Sequence, residues 1–341
     1  MEKARIGYID AMRGFTMILV VYSHVCGFCL GDTTMGFNDV FFLFRLPCFF
    51  MISGWLFEQT ARRPFREVVR KKFMVQIVPT FIFLLLLAPP PLFFSRLGTT
   101  KGGYWFTFTL FMFFLLYLLS VRLGKRWGAW VALLVSFAAF CYSSFYNRLS
   151  ATGSFSPVLQ VLGFLSFATW HYYLFFYLGT VIRRHFDDFL RITGRTFVFL
   201  PIVASFLAIA AVPSPANPLW AYLRFAAGGI TGMLMVFVLF RWLYTSFAAY
   251  CAWRPVVLSS VLKFVGTRTL DIYLLHYFFL PRFLLPYGGQ LAGYDSPLLE
   301  FVVAMAVALV VVALSLLVSR LLRISPFLAH YLFGANRGKI S

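Results

Sequence analysis

Residues 8–25 read YIDAMRGFTMILVVYSHV. From residue 14 onward the run is apolar enough to begin a membrane crossing, yet Asp10, Arg13 and His24 stand in it or beside it. An ionisable side chain within a bilayer is expensive and by default marks function. This stretch therefore bears both on the class of fold and on where chemistry is to be sought. Arg13 and His24 are eleven residues apart, which is three helical turns plus about 20°, so their side chains share one face. The rise between them is about 16 Å, which sets Arg13 at the cytoplasmic mouth of the helix and His24 near mid-membrane. Asp10, three residues before Arg13, can pair with it one turn lower.

The rest of the chain agrees with a membrane reading. Of 341 residues, 61% are hydrophobic, only 12% are charged and 44 are Phe, with a mean hydropathy of +0.83. A soluble domain is nearer half apolar and a quarter charged. The fold expected is all-α, a polytopic transmembrane helical bundle forming a single domain over residues 1–341. A crossing needs about 20 apolar residues, and spans are expected at 14–30, 40–58, 73–93, 104–121, 127–143, 158–182, 196–212, 220–240, 268–285 and 297–319. The stretch 241–267 reads as too broken and basic for a clean span. The first helix lacks a clear cleavage site and is expected to be retained.

A net charge of +19 is of the size seen in nucleic-acid binders, but the basic residues sit in short loops between apolar runs, so no nucleic-acid partner is expected. Of the 30 lysines and arginines, 24 fall on the side of the N-terminus if there are ten crossings. That bias places both termini in the cytoplasm, with the lipid bilayer as first partner and the inner membrane as location. No paired broken helices mark two inverted halves, which weakens a transporter reading. Cys26 and Cys29 form C-x-x-C without a βαβ context, and small packing residues are the simpler account. The acids lie mostly in loops or at helix ends, so proton transfer falls to histidine. His185 and His330 adjoin basic segments, and His171 lies in a Trp-Tyr belt. That leaves His24 and His276, the latter in DIYLLHYFF. His276 would line the cavity opposite His24 or serve as a structural partner for a tyrosine. In the second span, NDVFFLFRLPCFFMISGWLF, Arg45 falls just inside the outer boundary. It either snorkels or walls the same polar cavity as His24. Pro47 would bend the helix there. Ser53 and Gly54 form a small pair that permits close helix contact.

These residues carry a resemblance to acyltransferase family 3, integral membrane enzymes that O-acylate sugars, and in particular to its short fucose 4-O-acetylase-like members. Asp10, Arg13-Gly14 and the Arg–His spacing resemble the family's first helix. Phe49-Phe50-Met51-Ile52-Ser53-Gly54 is similar to its F-F-x-x-S-G. GYWFTFTLFMFFLLYLL (103–119), YYLFFYLGTVIRR (172–184) and KFVGTRTLDIYLLHYFF (263–279) resemble its later motifs, Thr269 standing in a serine place. The five occur in order along nearly the whole chain. Arg63 and Arg66 have the spacing of the family's cytoplasmic R-x-x-R but lie early in the loop.

The resemblance implies acetyl-CoA as acyl donor, no metal, and a glycan acceptor, lipid-linked or extracytoplasmic. It implies that Arg13, with Arg63, Arg66, Arg70, Lys71 and Lys72, would hold the CoA phosphates. The same basic loop is also what topology alone demands. His24 would deprotonate the sugar hydroxyl or accept the acyl group itself, and Arg45 would polarise the thioester or orient the acceptor. The competing readings are a flippase for a lipid-linked sugar, a non-catalytic membrane module, and the same fold moving another acyl group such as succinyl.

Overall fold

The computed structural model describes residues 6–87, 101–123, 125–150, 157–247 and 256–335, and all regular structure among them is helical. Apolar runs form helices because only internal hydrogen bonding satisfies the backbone in hydrocarbon. In chain order the first helices are α1 (Gly7–Cys29), α2 (Asn38–Thr60), the short basic α3 (Phe65–Lys72) and, after a π turn, α4 (Val78–Leu87). Next come α5 (Trp105–Leu123), α6 (Lys125–Ser150), α7 (Pro157–Phe164), α8 (Tyr173–Arg184) and α9 (Phe186–Thr193). The last are α10 (Thr196–Ala211), α11 (Pro218–Trp242), α12 (Val256–Thr267), α13 (Thr269–Phe279), α14 (Leu285–Ala292), α15 (Pro297–Leu322) and α16 (Pro326–Phe333). Among the described residues five helices are long and apolar enough to cross a membrane, or seven when two bent pairs each count as one span. The expected span 73–93 is helical as far as Leu87; the rest of it, and Cys251, lie outside the described residues.

Two compact units form from interleaved segments: Met1–Ile52, Asp187–Pro213 and Ala227–Leu322 make one, and Ser53–Phe186, Ser214–Ala226 and Arg323–Ser341 the other. In the first unit, α1 packs backbone to backbone against α12. A Cβ built on Gly14 would lie 2.1 Å from the Leu262 carbonyl oxygen, and one on Gly266 1.8 Å from that of Asp10. Lys263 reaches back over Gly7. Two glycines facing each other remove the side chains that would hold the axes apart. Gly14 pairs with Gly266, and ten residues later His24 meets His276, so α12 and α13 run parallel to α1 at a constant offset.

This corrects the expected ninth span. Helix begins at Val256 rather than at 268, breaks at Arg268, and ends at Phe279 before Pro281; residues 282–284 are a 3-10 turn and not the continuation of a span. Lys263 lies in the stretch that reads as too broken and basic for a clean span, and its ammonium lies over the Tyr244 ring, 4.8 Å from the centroid, a placement that spares an amphipathic side chain its burial cost. Pro47 does not interrupt α2, which is helical throughout.

The second unit has an aromatic core. Phe57 stacks on Phe114 with centroids 4.2 Å apart, and Phe176 closes on both rings. The expected span 158–182 is divided here. Its two halves are bent by 54° at Ser166, whose φ of 54° is left-handed. Across the break the buried Lys101 donates from Nζ to the Phe164 carbonyl oxygen at 2.6 Å, so a carbonyl freed by the end of α7 is satisfied by a cation. Lys101 also lies 4.2 Å from the Phe108 ring centroid.

Candidate functional site

In the first unit α1 and α13 bring two histidines together. Nδ1 of His24 lies 2.7 Å from Nε2 of His276, and the rings are within 9° of parallel with centroids 4.9 Å apart. His276 is fully buried, and its Nδ1 lies 3.0 Å from the carbonyl oxygen of Ile272. His24 is half-buried, flanked by Phe28 and Tyr277. It stands nearer the C-terminal end of α1 than its middle. Of the two roles weighed for His276, the partner it meets is His24, with the Tyr277 ring tilted alongside, centroids 4.1 Å apart.

The lower turn of α13 is anchored by Asp271, an acid that stands near an arginine in the sequence. Asp271 is buried and accepts from the Ser319 hydroxyl of α15 at 2.5 Å, with the Arg268 guanidinium 3.6 Å away. Asp271 lies five positions before His276 on the same helix, so this contact ties the base of α13 to α15.

Arg45 is buried and does not snorkel. Its guanidinium donates to Asn38 Oδ1 at 2.8 Å and lies 5.3 Å from the Phe42 ring centroid. The Asn38 amide in turn donates to the Thr33 carbonyl oxygen at 2.5 Å. Asn38 and Arg45 are seven residues apart, two turns on one face; that spacing was the available signal for Asn38. The loop between α1 and α2 is fixed at several further points. Tyr22 donates to the Met35 carbonyl at 3.2 Å, and the Gly36 N–H donates to Glu300 at 2.7 Å. The Thr34 hydroxyl and N–H both donate to Asp32; these two bonds hold its carboxyl below the usual range.

The remaining candidates divide between the units. Arg13 is half-buried with its guanidinium 5.9 Å from the Phe49 ring centroid, and Asp10 is buried one turn below. In the second unit Gly54 is a packing residue: a Cβ there would lie 1.9 Å from the Phe176 carbonyl oxygen, and Ser53 precedes it, half-buried. Arg66, Arg70 and Lys71 on α3 are exposed. Arg63 is exposed too but pairs with Glu67 at 3.3 Å, and Lys72 turns inward over Phe114, 4.4 Å from the centroid. Glu58 is buried beside them, accepting from Tyr117 with Arg184 3.8 Å away.

The first unit thus presents a half-exposed imidazole on α1 backed by a second imidazole on α13, with a buried guanidinium on α2. Such a set can take and return a proton and stabilise a developing oxyanion. No curated protein and no solved structure matches the chain. A family model does: the acyltransferase domain of acyltransferase family 3 matches residues 6–320, a stretch that contains both histidines, both arginines and the basic α3. A match over nearly the whole length makes the chain a membrane acyltransferase: it belongs to acyltransferase family 3.

Proposed function

We propose that the protein is an O-acetyltransferase of the inner membrane, with both termini cytoplasmic, that moves an acetyl group from cytoplasmic acetyl-CoA to a hydroxyl of a cell-surface or lipid-linked glycan. The observation that carries this reading is the contact between His24 and His276 inside the helical bundle. A bilayer protein gains no stability from placing two imidazoles there that hydrophobic packing would not supply more cheaply.

In this reading His24 removes the proton of the acceptor hydroxyl while its oxygen attacks the thioester carbonyl. The C–S bond breaks, and the CoA thiolate leaves with the proton His24 returns. Transient acylation of His24 itself is the other route open to the same imidazole. Arg45, held by Asn38, stabilises the oxyanion of the tetrahedral intermediate. Arg13, Arg63, Arg66, Arg70, Lys71 and Lys72 are the proposed ligands of the CoA phosphates, the exposed Arg66, Arg70 and Lys71 foremost. Asp10, Ser53 and Gly54 support the helices that carry these groups.

Glycan mass spectrometry of a strain lacking the protein tests donor and acceptor together. Loss of an acetyl increment from a surface glycan supports the proposal. Loss of a larger acyl mass would redirect it to another donor, and an unchanged glycan would overturn it.

A further inference from the structure

The hydrogen bonding around the two histidines determines which nitrogen of His24 reacts, an inference that rests on His24 being the reacting group. The Ile272 carbonyl oxygen can only accept, so Nδ1 of His276, 3.0 Å away, carries a proton and donates. A neutral imidazole carries one N–H, which leaves Nε2 of His276 a lone pair. That lone pair faces Nδ1 of His24 at 2.7 Å. The rings are nearly parallel with centroids 4.9 Å apart, and parallel rings that far apart can bring two nitrogens within 2.7 Å only when their edges face each other close to a common plane, since stacked rings lie about 3.5–4.0 Å apart. The contact is therefore made edge to edge, in the ring plane where an N–H and a lone pair point. Nδ1 of His24 is then the donor, and Nε2 of His24 is left without a proton.

We propose that His276 is a positioning residue. It holds His24 in the Nδ1–H tautomer through a relay that starts at the Ile272 carbonyl, and so fixes Nε2 of His24 as the nitrogen that takes the acceptor proton or the acyl group. When Nε2 of His24 gains its proton, the imidazolium keeps donating from Nδ1 to His276, which spreads the charge without a carboxylate. The arrangement resembles the base-orienting half of a hydrolase triad, with an imidazole in place of the acid. The buried Asp271–Ser319 contact ties the base of the helix that carries His276 to α15.

Nitrogen NMR of the full-length protein in detergent, labelled at histidine and assigned with a His24→Ala sample, reads the tautomer without any turnover. The expected spectrum shows His24 with a protonated Nδ1 and an unprotonated Nε2. A His24 protonated at Nε2 with a lone pair at Nδ1 would overturn the proposal even if the enzyme is active. The kinetic arm uses two variants. His276→Ala is expected to lower kcat by about 10–100-fold, the usual cost of losing a group that orients a reactive histidine, with the donor KM unchanged. His276→Gln keeps an acceptor oxygen for the Nδ1–H of His24 and is expected to recover most of that loss. Equal activity in both variants, or a loss in both that follows their thermal stability alone, would assign His276 to packing. Absence of acyl transfer by the wild-type protein would instead remove the reading of His24 and leave the tautomer result standing.

Discussion

Replacing Gly266 by Ala perturbs the site from a distance, and its effect follows from one contact. The added Cβ would fall 1.8 Å from the Asp10 carbonyl oxygen and 3.1 Å from the Gly14 nitrogen, whereas Cβ contacts below 3.0 Å are essentially never seen. The obstacle is backbone and cannot rotate away, so α1 and α12 must separate by at least 1.2 Å, the gap between those two distances. Overpacking of this kind costs about 1–3 kcal/mol. Ten residues along, past the break at Arg268, His24 of α1 meets His276 of α13 at 2.7 Å, and a 1.2 Å separation carried that far would open the contact beyond hydrogen-bonding range. The expected result is a lower unfolding temperature in detergent together with a fall in transfer of label from acetyl-CoA to membrane glycan. Gly289→Ala is the matched control, because nothing lies within 4 Å of a Cβ there, and it should leave both readings unchanged. A Gly266→Ala protein with wild-type stability and activity would refute the packing of α12 on α1.

Three further outcomes follow from single contacts. Asp271→Ala strands the Ser319 hydroxyl and unbalances Arg268, so thermal unfolding should show a loss of about 1–3 kcal/mol; an unchanged melting temperature would contradict the anchoring of α13. Asn38→Ala releases the Arg45 guanidinium while leaving its charge, and should reduce turnover by about tenfold with little change in stability; full activity would remove Asn38 as the support of Arg45. Burial holds the Lys101 amine down to about 8, against an ordinary value of 10.5. Between those pH values the unfolded chain binds more protons than the folded one, so stability should rise with pH across that window. Lys101→Met should abolish the rise, and a rise that persists would assign it to another group.

Much of the architecture was legible because apolar runs in a bilayer leave the backbone no alternative to helix. The shared face of Arg13 and His24 followed from spacing alone. The ninth span was misplaced because hydropathy penalises Lys263 and the polar stretch around it, whereas packing places that ammonium on Tyr244 and opposes Gly266 to Gly14. Glycine–glycine opposition between helices 252 residues apart leaves no periodic signal in either helix. Likewise, the break at Ser166 depends on Lys101, 65 residues earlier, reaching a freed carbonyl. At the site, residue types pointed to His24, Arg45 and His276, but which histidine met which, and at which nitrogen, is a matter of register between α1 and α13. Arg45 shows the same limit: snorkelling and burial are alike in sequence, and Asn38 decides between them by offering an acceptor inside.

The central claim is that His24 performs acyl transfer. The most direct measurement is transfer of labelled acetyl from acetyl-CoA to glycan by membranes containing equal amounts of folded wild-type or His24→Ala protein. The account predicts transfer by the wild type and none above background by the variant, with both inserted and equally stable. Transfer by His24→Ala at the wild-type rate would contradict it.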